Sequence, residues 1–334
     1  MWGRLLTCAP VASRRRAVVL QRTRRVGNPP QVGNLPHMAL AAFLLPMALL
    51  AQTDAGRVAP EGPLHLVAFG DFGTGDPAQR EVANAIALRD AEAPYGLGIT
   101  LGDNFYHCGV RSVEDKKWLE RWERMYADLG IEFYATLGNH DYGRTRIACL
   151  FQGASVEAQI EYSKHSPSWR MPARYYTFTA GAARFLALDT EEWSPEQLAW
   201  VERTLRETAG EPGIAWRIVY GHHPIFTSGE HRDDRRIDAL QRELLPVLKA
   251  AGVDLYIAGH DHDMEHLRVD GMDFLVAGGG GATLRPADGM HAGSQFAASD
   301  HGFLDLVITG DMLTGQFYDS TLRQLETAPL FRVK

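Results

Sequence analysis

The sequence predicts an α/β protein in which a mixed β-sheet packs on a second sheet, with helices on the outside. Three observations predict it. Between residues 64 and 258, short apolar runs alternate with segments whose apolar residues recur at helical spacing. From Glu265 onward the text changes to short strands in hairpins, and that order points to two stacked sheets with covering helices. Five of the apolar runs also end in glycine followed by polar residues, and the carboxyl ends of strands in open α/β sheets are where ligands collect. No internal repeat or linker interrupts the pattern, so residues 60–330 read as one domain.

Residues 64–69 are the first core strand. Residues 77–90 follow as a helix, with Asp76 placed as its N-cap and Pro77 at its first position. Residues 98–101 are the next strand. Residues 113–129 carry Trp118, Trp122, Met125, Tyr126 and Leu129 at helical spacing, a stripe that reads as core contact. A strand over 133–137 comes next, and 142–173 read as irregular loops. Residues 174–180 and 184–189 form a hairpin around Gly181. Ser194, Pro195, Glu196 and Gln197 open a helix with a capping-box arrangement, and Trp200, Val201 and Leu205 are its buried side. A strand over 216–220, a helix over 238–251 that Pro246 is expected to kink, and a strand over 253–258 end the alternating series. Four short strands close the chain, over 265–269, 272–277, 302–309 and 312–318.

At 45% apolar and 22% charged, the 334-residue chain has an ordinary globular composition. Its charge is unevenly placed. Residues 1–37 hold seven arginines and no acid, so subtracting that +7 from the total of −7 leaves −14 on residues 38–334. An acidic domain argues against nucleic acid or an anionic membrane as the main partner. Residues 38–51 (MALAAFLLPMALLA) form a 14-residue apolar run, too short to span a bilayer. It has the length of a signal-peptide core, with Ala51 or Ala55 before the cut. Residues 1–55 therefore read as a signal or targeting segment, and the mature protein as secreted or periplasmic, a monomer without stable membrane association. Two alternatives stand beside this. One is a start at Met38 with an upstream extension before it, although such a start lacks the usual positive segment; the other is an uncleaved membrane anchor. Cys8 would leave with the signal. Cys108 and Cys149 each follow a polar loop, and either a disulfide or two buried thiols fits them.

The five loops begin at Gly70-Asp71, Gly102-Asp103, Gly138-Asn139, Gly221-His222 and Gly259-His260. Together they supply Asp71, Asp103, Tyr106, Asn139, His222, His260 and His262, too many ligands for one ion. Hard oxygen donors mixed with imidazoles suit iron, manganese or zinc better than a thiolate-binding metal. A carboxylate can bridge two ions, and paired metals ~3.5–4 Å apart clamp the oxygens of an in-line phosphoryl displacement. The expected nucleophile is a metal-bound hydroxide, since a bound divalent ion can lower the pKa of water to about 7.

On these blocks the chain resembles the calcineurin-like metallophosphoesterases, and among them the purple acid phosphatases of the small tartrate-resistant type. The family's DxG, GDxxY, GNH, GH and GHxH blocks stand here, in that order, as Asp71-Phe72-Gly73, Gly102 to Tyr106, Gly138-Asn139-His140-Asp141, Gly221-His222 and Gly259 to His262. Similarity extends through residues 158–164 and 186–190 and covers roughly 64–320. The resemblance implies a four-layer α/β/β/α sandwich of two mixed sheets and a dinuclear centre of Fe(III) with a divalent ion (Fe, Zn or Mn). It gives Asp71, Tyr106 and His262 to the ferric ion, Asp103 to both, and Asn139, His222 and His260 to the divalent one. His140, and less directly His231, would contact the phosphate of a small phosphomonoester, His140 helping to protonate the leaving alcohol. Asp141 would either orient His140 or cap its loop. The resemblance thus implies a secreted acid phosphatase. A divalent phosphodiesterase or nucleotidase, a binding domain that has kept the fold, and iron-based peroxide chemistry are the other readings.

Two departures from the family are visible. Asp189-Thr190 runs almost directly into the helix at Ser194, so the long loop that partly blocks the small mammalian-type site is missing, and residues 142–155 look inserted. His107, His165, His223, His266, His291 and His301 lie outside the blocks and read as surface, capping or core residues. Gly278 to Gly281 lacks the lysine-serine ending of a P-loop and reads as a tight loop near the site.

Overall fold

In the computed structural model, which describes residues 53–58, 62–144, 147, 149, 152–288, 291–326 and 330–334, the apolar runs become strands of two mixed sheets. The first sheet holds β2 (Leu64–Phe69), β3 (Leu97–Leu101), β4 (Phe133–Thr136) and β5 (Trp169–Arg170) in parallel. Beyond β2 it continues through antiparallel β13 (Gly302–Ile308), β14 (Met312–Asp319) and β15 (Leu330–Val333). The second sheet runs in the order β1 (Thr53–Val58), β6 (Tyr176–Ala180), β7 (Ala183–Ala187), β8 (Trp216–Tyr220), β9 (Leu255–Ala258), β11 (Met272–Ala277), β10 (Met264–Val269) and β12 (Ser294–Ala298). Strands β3, β4, β6, β7, β9 and β11 are buried along their whole length. Their unbroken apolar runs are what strands covered on both faces require.

The two sheets face each other across a common core. Tyr134 stacks on Phe178 with ring centroids 3.9 Å apart. The Tyr176 hydroxyl donates to the Ala135 carbonyl at 2.8 Å, and the Tyr220 hydroxyl to Tyr134 at 3.1 Å. Helix α1 (Pro77–Glu92) and the helical stretch 116–129 cover the first sheet, where Trp122 and Tyr126 pack on Phe72 and Phe133. Helices α5 (Pro195–Glu207) and α6 (Arg235–Ala250) cover the second, with Trp200, Leu244 and Leu248 clustered against Val219 and Tyr256. The layering is α/β/β/α.

Several local expectations need correction. Asp76 does sit at the N-cap of α1 with Pro77 at its first position, as expected, but it makes no side-chain cap bond; Gln79 Oε1 accepts from the Gly75 amide at 2.7 Å. The predicted helix over 113–129 begins only at Lys116 and is composite: α2 (Lys116–Trp118), a π turn over Leu119–Glu123, α3 (Arg124–Tyr126) and a 3-10 turn over Ala127–Leu129. Aromatics spaced by four drift by roughly 40° per step around a 3.6-residue helix. One wider turn partly cancels that drift and lets Trp118, Trp122 and Tyr126 all stay buried. Helix α6 starts earlier than expected, capped by Asp234 accepting from the Arg236 amide at 2.8 Å, and continues through Pro246. Residues 142–173 are not all loop: they contain α4 (Val156–Tyr162) and β5. The missed strands β1, β5, β12 and β15 are the four sheet edges. An edge strand pairs on one side only and needs little apolar sequence. Strand β1 starts inside the segment read as a signal, and β15 passes residue 330; the rest of residues 1–55 lies outside the described residues. Cys108 and Cys149 form a disulfide, with Cα atoms 5.0 Å apart.

Candidate metal centre

The loops after β2, β3, β4, β8 and β9 converge, and bring all seven predicted ligands together. Asp71, Asp103 and His260 take left-handed backbone conformations, with φ of 57°, 52° and 71°. Each such residue costs on the order of 1 kcal/mol, and that strain is found where function demands a geometry. The preceding glycines give the room. A Cβ at Gly138 would lie 2.2 Å from Asp103 Oδ1, and one at Gly259 would lie 2.4 Å from Asp71 Oδ2.

The seven side chains form two groups. In the first, Tyr106 Oη lies 3.2 Å from Asp71 Oδ1, 3.0 Å from Asp103 Oδ2 and 3.0 Å from His262 Nε2. In the second, Asn139 Oδ1 lies 2.9 Å from His222 Nε2 and 3.2 Å from His260 Nδ1, while His222 Nε2 is 3.6 Å from Asp103 Oδ1. Asp103 therefore offers one oxygen to each group. Backbone carbonyls set the ring tautomers: His222 Nδ1 donates to Leu101 O at 2.8 Å and His262 Nδ1 to Thr283 O at 2.6 Å. That leaves an Nε2 lone pair facing inward on each ring.

The donor set fits cations better than it fits itself. A phenol has one hydrogen, and three acceptors converge on Tyr106 Oη. In the second group the His222 lone pair faces the Asn139 carbonyl oxygen. Acceptors crowded together in this way are relieved by a positive ion at the centre of each group. Burial, then the charges of Asp103 and Asp71, push the Tyr106 phenol far up. Burial also raises the Asp71 carboxyl, but the His262 hydrogen bond and the nearby imidazoles outweigh it and hold it at about 2. Burial pulls His260 down to about 4.

His140 and His231 flank these groups. The His140 amide donates to Asp103 Oδ1 at 2.8 Å, its Nδ1 donates to the His107 carbonyl at 2.8 Å, and its ring lies 4.2 Å from that of Tyr106. The His231 ring is 4.2 Å from that of His260, and its Nδ1 lies 2.7 Å from Asp261 Oδ1. Asp141 does not hold His140. It accepts from the Asn104 and Phe105 amides, the Gly138 amide and the Asn104 and Gln159 side chains at 2.9–3.2 Å, tying the second loop to the third. Burial and the Asp103 charge push its carboxyl up to about 7, against those five donors.

Sequence reasoning missed Asp261, Asp234, Glu191, Arg236, Arg144 and Arg285. Asp261 stands inside the last block and carried a signal that went unused; the others surround the mouth. That mouth is a cleft of about 520 Å³ lined by Asn139, His140, His231 and His260 together with Arg144, Arg236 and Arg285. His223, the neighbour of His222, also borders the mouth and bonds Thr190 Oγ1 at 2.9 Å. The Gly278–Gly281 run is the tight loop expected, with the Gly280 amide donating to Gly70 O at 3.0 Å.

Residues 64–264 match the family described as calcineurin-like phosphoesterase. The chain belongs to that family. The phosphoesterase is 31% identical over 277 residues to tartrate-resistant acid phosphatase type 5 of Sus scrofa, an alignment covering 72% of this chain and 76% of the relative. Among solved structures it resembles GAP50, described as the anchor in the inner membrane complex of Plasmodium, with a TM-score of 0.66, 24% identity, and coverage of 82% of this chain and 90% of that one. It also resembles the purple acid phosphatase PPD1 of yellow lupin, with a TM-score of 0.63, 19% identity, and coverage of 80% and 53%. Those two likenesses speak for the fold. The family match and the phosphatase relative make the protein a phosphoric-ester hydrolase, and among the described residues buried groups of His and Asp stand close enough together to hold metal.

Proposed function

We propose that this chain is a secreted acid phosphatase that hydrolyses phosphate monoesters at a dinuclear centre of Fe(III) and a divalent ion (iron, zinc or manganese). The observation that supports it best is the Tyr106 phenol set among Asp71, Asp103 and His262. Burial and two carboxylates oppose ionisation of that phenol, so only a strong Lewis acid makes it a phenolate ligand, which favours a trivalent ion. Asp71, Tyr106 and His262 would hold that ion, Asn139, His222 and His260 the divalent one, and Asp103 both. When bound, such a pair supplies Lewis acidity toward the phosphoryl group and a water acidic enough to ionise at working pH.

The remaining steps belong to the chain's own groups. His140 has its Nδ1 proton committed to the His107 carbonyl, so Nε2 is the nitrogen left for the substrate; carrying a second proton there, the imidazolium would give that proton to the leaving alcohol and return to the neutral ring. His231, fixed through Nδ1 and its amide by Asp261 Oδ1, would present its other face to the phosphate. The Cys108–Cys149 disulfide suits an oxidising, extracytoplasmic setting, and the short stretch between Asp189 and the N-cap Ser194 leaves the mouth without the blocking loop of the small mammalian-type enzymes. The test is colour. Phenolate bound to Fe(III) gives visible charge transfer, so the purified protein should be purple or pink and Tyr106→Phe colourless but folded. A colourless wild type, fully active with divalent metal alone, would refute the ferric assignment and favour the divalent phosphodiesterase or nucleotidase reading.

A further inference from the structure

We propose that Arg285 recognises the phosphoryl group of the substrate and sets a preference for monoesters over diesters; the inference rests on the phosphatase reading above. Arg285 follows the glycine run, and its backbone is fixed at both ends: its amide donates to His262 O at 3.0 Å, and its carbonyl accepts from Ser299 Oγ at 2.5 Å. Its position is therefore locked to the loop that carries two candidate ligands. The side chain borders the 520 Å³ mouth beside Asn139, His231 and His260, and also a cleft of about 190 Å³ beside Tyr106 and His262. Arg285 and His140 are the two residues common to both clefts.

Its charge is also the least compensated of the three arginines at the mouth. Arg236 is held by Glu191 at 2.7 Å, and Arg144 by Glu192. Arg285 Nη1 lies 2.8 Å from the His231 ring nitrogens and 3.3 Å from the His260 carbonyl, none of them a carboxylate. The carboxylate paired with it, Glu230, is 3.8 Å away and more than half exposed, a separation at which an exposed pair is worth little. In an acidic domain this is the cation available to an anionic substrate. A guanidinium matches the planar pairs of oxygens that phosphate presents. A monoester has one more ionisable oxygen and one more negative charge than a diester, so the contact favours the monoester.

The test compares wild type, Arg285→Ala and Arg285→Lys, each loaded with metal. kcat/KM is measured on an aryl monophosphate and on the corresponding bis-aryl phosphate, and inorganic phosphate binding by calorimetry. Loss of a charge-assisted contact should lower kcat/KM on the monoester by roughly 10- to 100-fold in Arg285→Ala, mainly through KM. The diester should lose clearly less, since it carries one negative charge fewer to pair with the guanidinium. The phosphate Kd should rise by a factor like that of the monoester, metal content should hold, and Arg285→Lys should recover part of the loss. Equal losses on both esters, or an unchanged phosphate Kd, would overturn the proposal. If the wild type hydrolyses neither ester, the phosphatase reading fails, and the calorimetric comparison still decides whether Arg285 binds phosphate.

Discussion

Replacing Gly138 with alanine adds one methyl group where two metal loops touch. The new Cβ would stand 2.2 Å from Asp103 Oδ1 and 2.3 Å from the Asp103 amide nitrogen. Relieving that overlap to ordinary contact needs a shift of about 1 Å, and the carboxylate that must move is the one shared by both ligand groups. Overpacking of this kind costs roughly 1–3 kcal/mol of stability, which a domain of ordinary stability survives. The larger effect falls on the centre. Ligand distances must hold to within about 0.2 Å, and an error of ~1 Å in a reacting geometry can cost 10²-fold in rate. Gly138→Ala should therefore fold, bind metal at least ~10-fold more weakly and lose about 10²-fold in kcat/KM. Gly310→Ala is the control, because its Cβ meets nothing within 4 Å. Equilibrium dialysis against the metal, denaturation in urea and ester hydrolysis give the three readouts. Wild-type metal affinity together with wild-type activity in Gly138→Ala would refute the claim that Asp103 bridges the groups in a space glycine alone allows.

Two further outcomes follow from single side chains. His140→Ala keeps the backbone donor to Asp103 and should retain its metal, while turnover of esters with poor leaving groups falls by roughly 10²–10⁴-fold; an activated aryl ester should suffer less, and equal losses would reject the general-acid role. His266 is buried between Glu326 at 2.7 Å and Asp273 at 3.0 Å; burial lowers its pKa, but the two carboxylates outweigh it and raise it above 6.5. A raised histidine stabilises fully below pH 6.5 and loses that contribution as pH rises through the folded value. His266→Gln should thus destabilise by a few kcal/mol, about 3, at pH 5.5, and by distinctly less at pH 8.5. A cost that does not fall with pH would contradict the paired, charged state.

The sequence made the site more legible than the frame around it. Each ligand loop announces itself as an apolar run, a glycine and a polar residue, because a buried strand must end in a close approach and then present a donor. The edges β1, β5, β12 and β15 had no such mark. Strand β1 reads TDAGRV, with no apolar alternation, and pairs only with β6. Helix α4 was signed by Ser155, whose Oγ accepts from the Ala158 amide at 3.1 Å, but seven residues are too few for the helical period to stand out. The support of the site was least visible of all. Asp141, Asp261 and Arg285 act on neighbours through folding, and Gln159 reaches Asp141 across 18 positions of chain. Spacing along the sequence carries no trace of such contacts.

The most direct measurement of the central claim is metal content set against activity in the same purified protein. The arrangement of Asp71, Tyr106 and His262 beside Asn139, His222 and His260, with Asp103 between, predicts two metal equivalents per chain. One of them should be lost first on chelation, and hydrolysis of an aryl monophosphate should fall with it and return when a divalent ion is restored. Full hydrolysis by protein stripped of both equivalents, or a single equivalent in fully active protein, would contradict the dinuclear account.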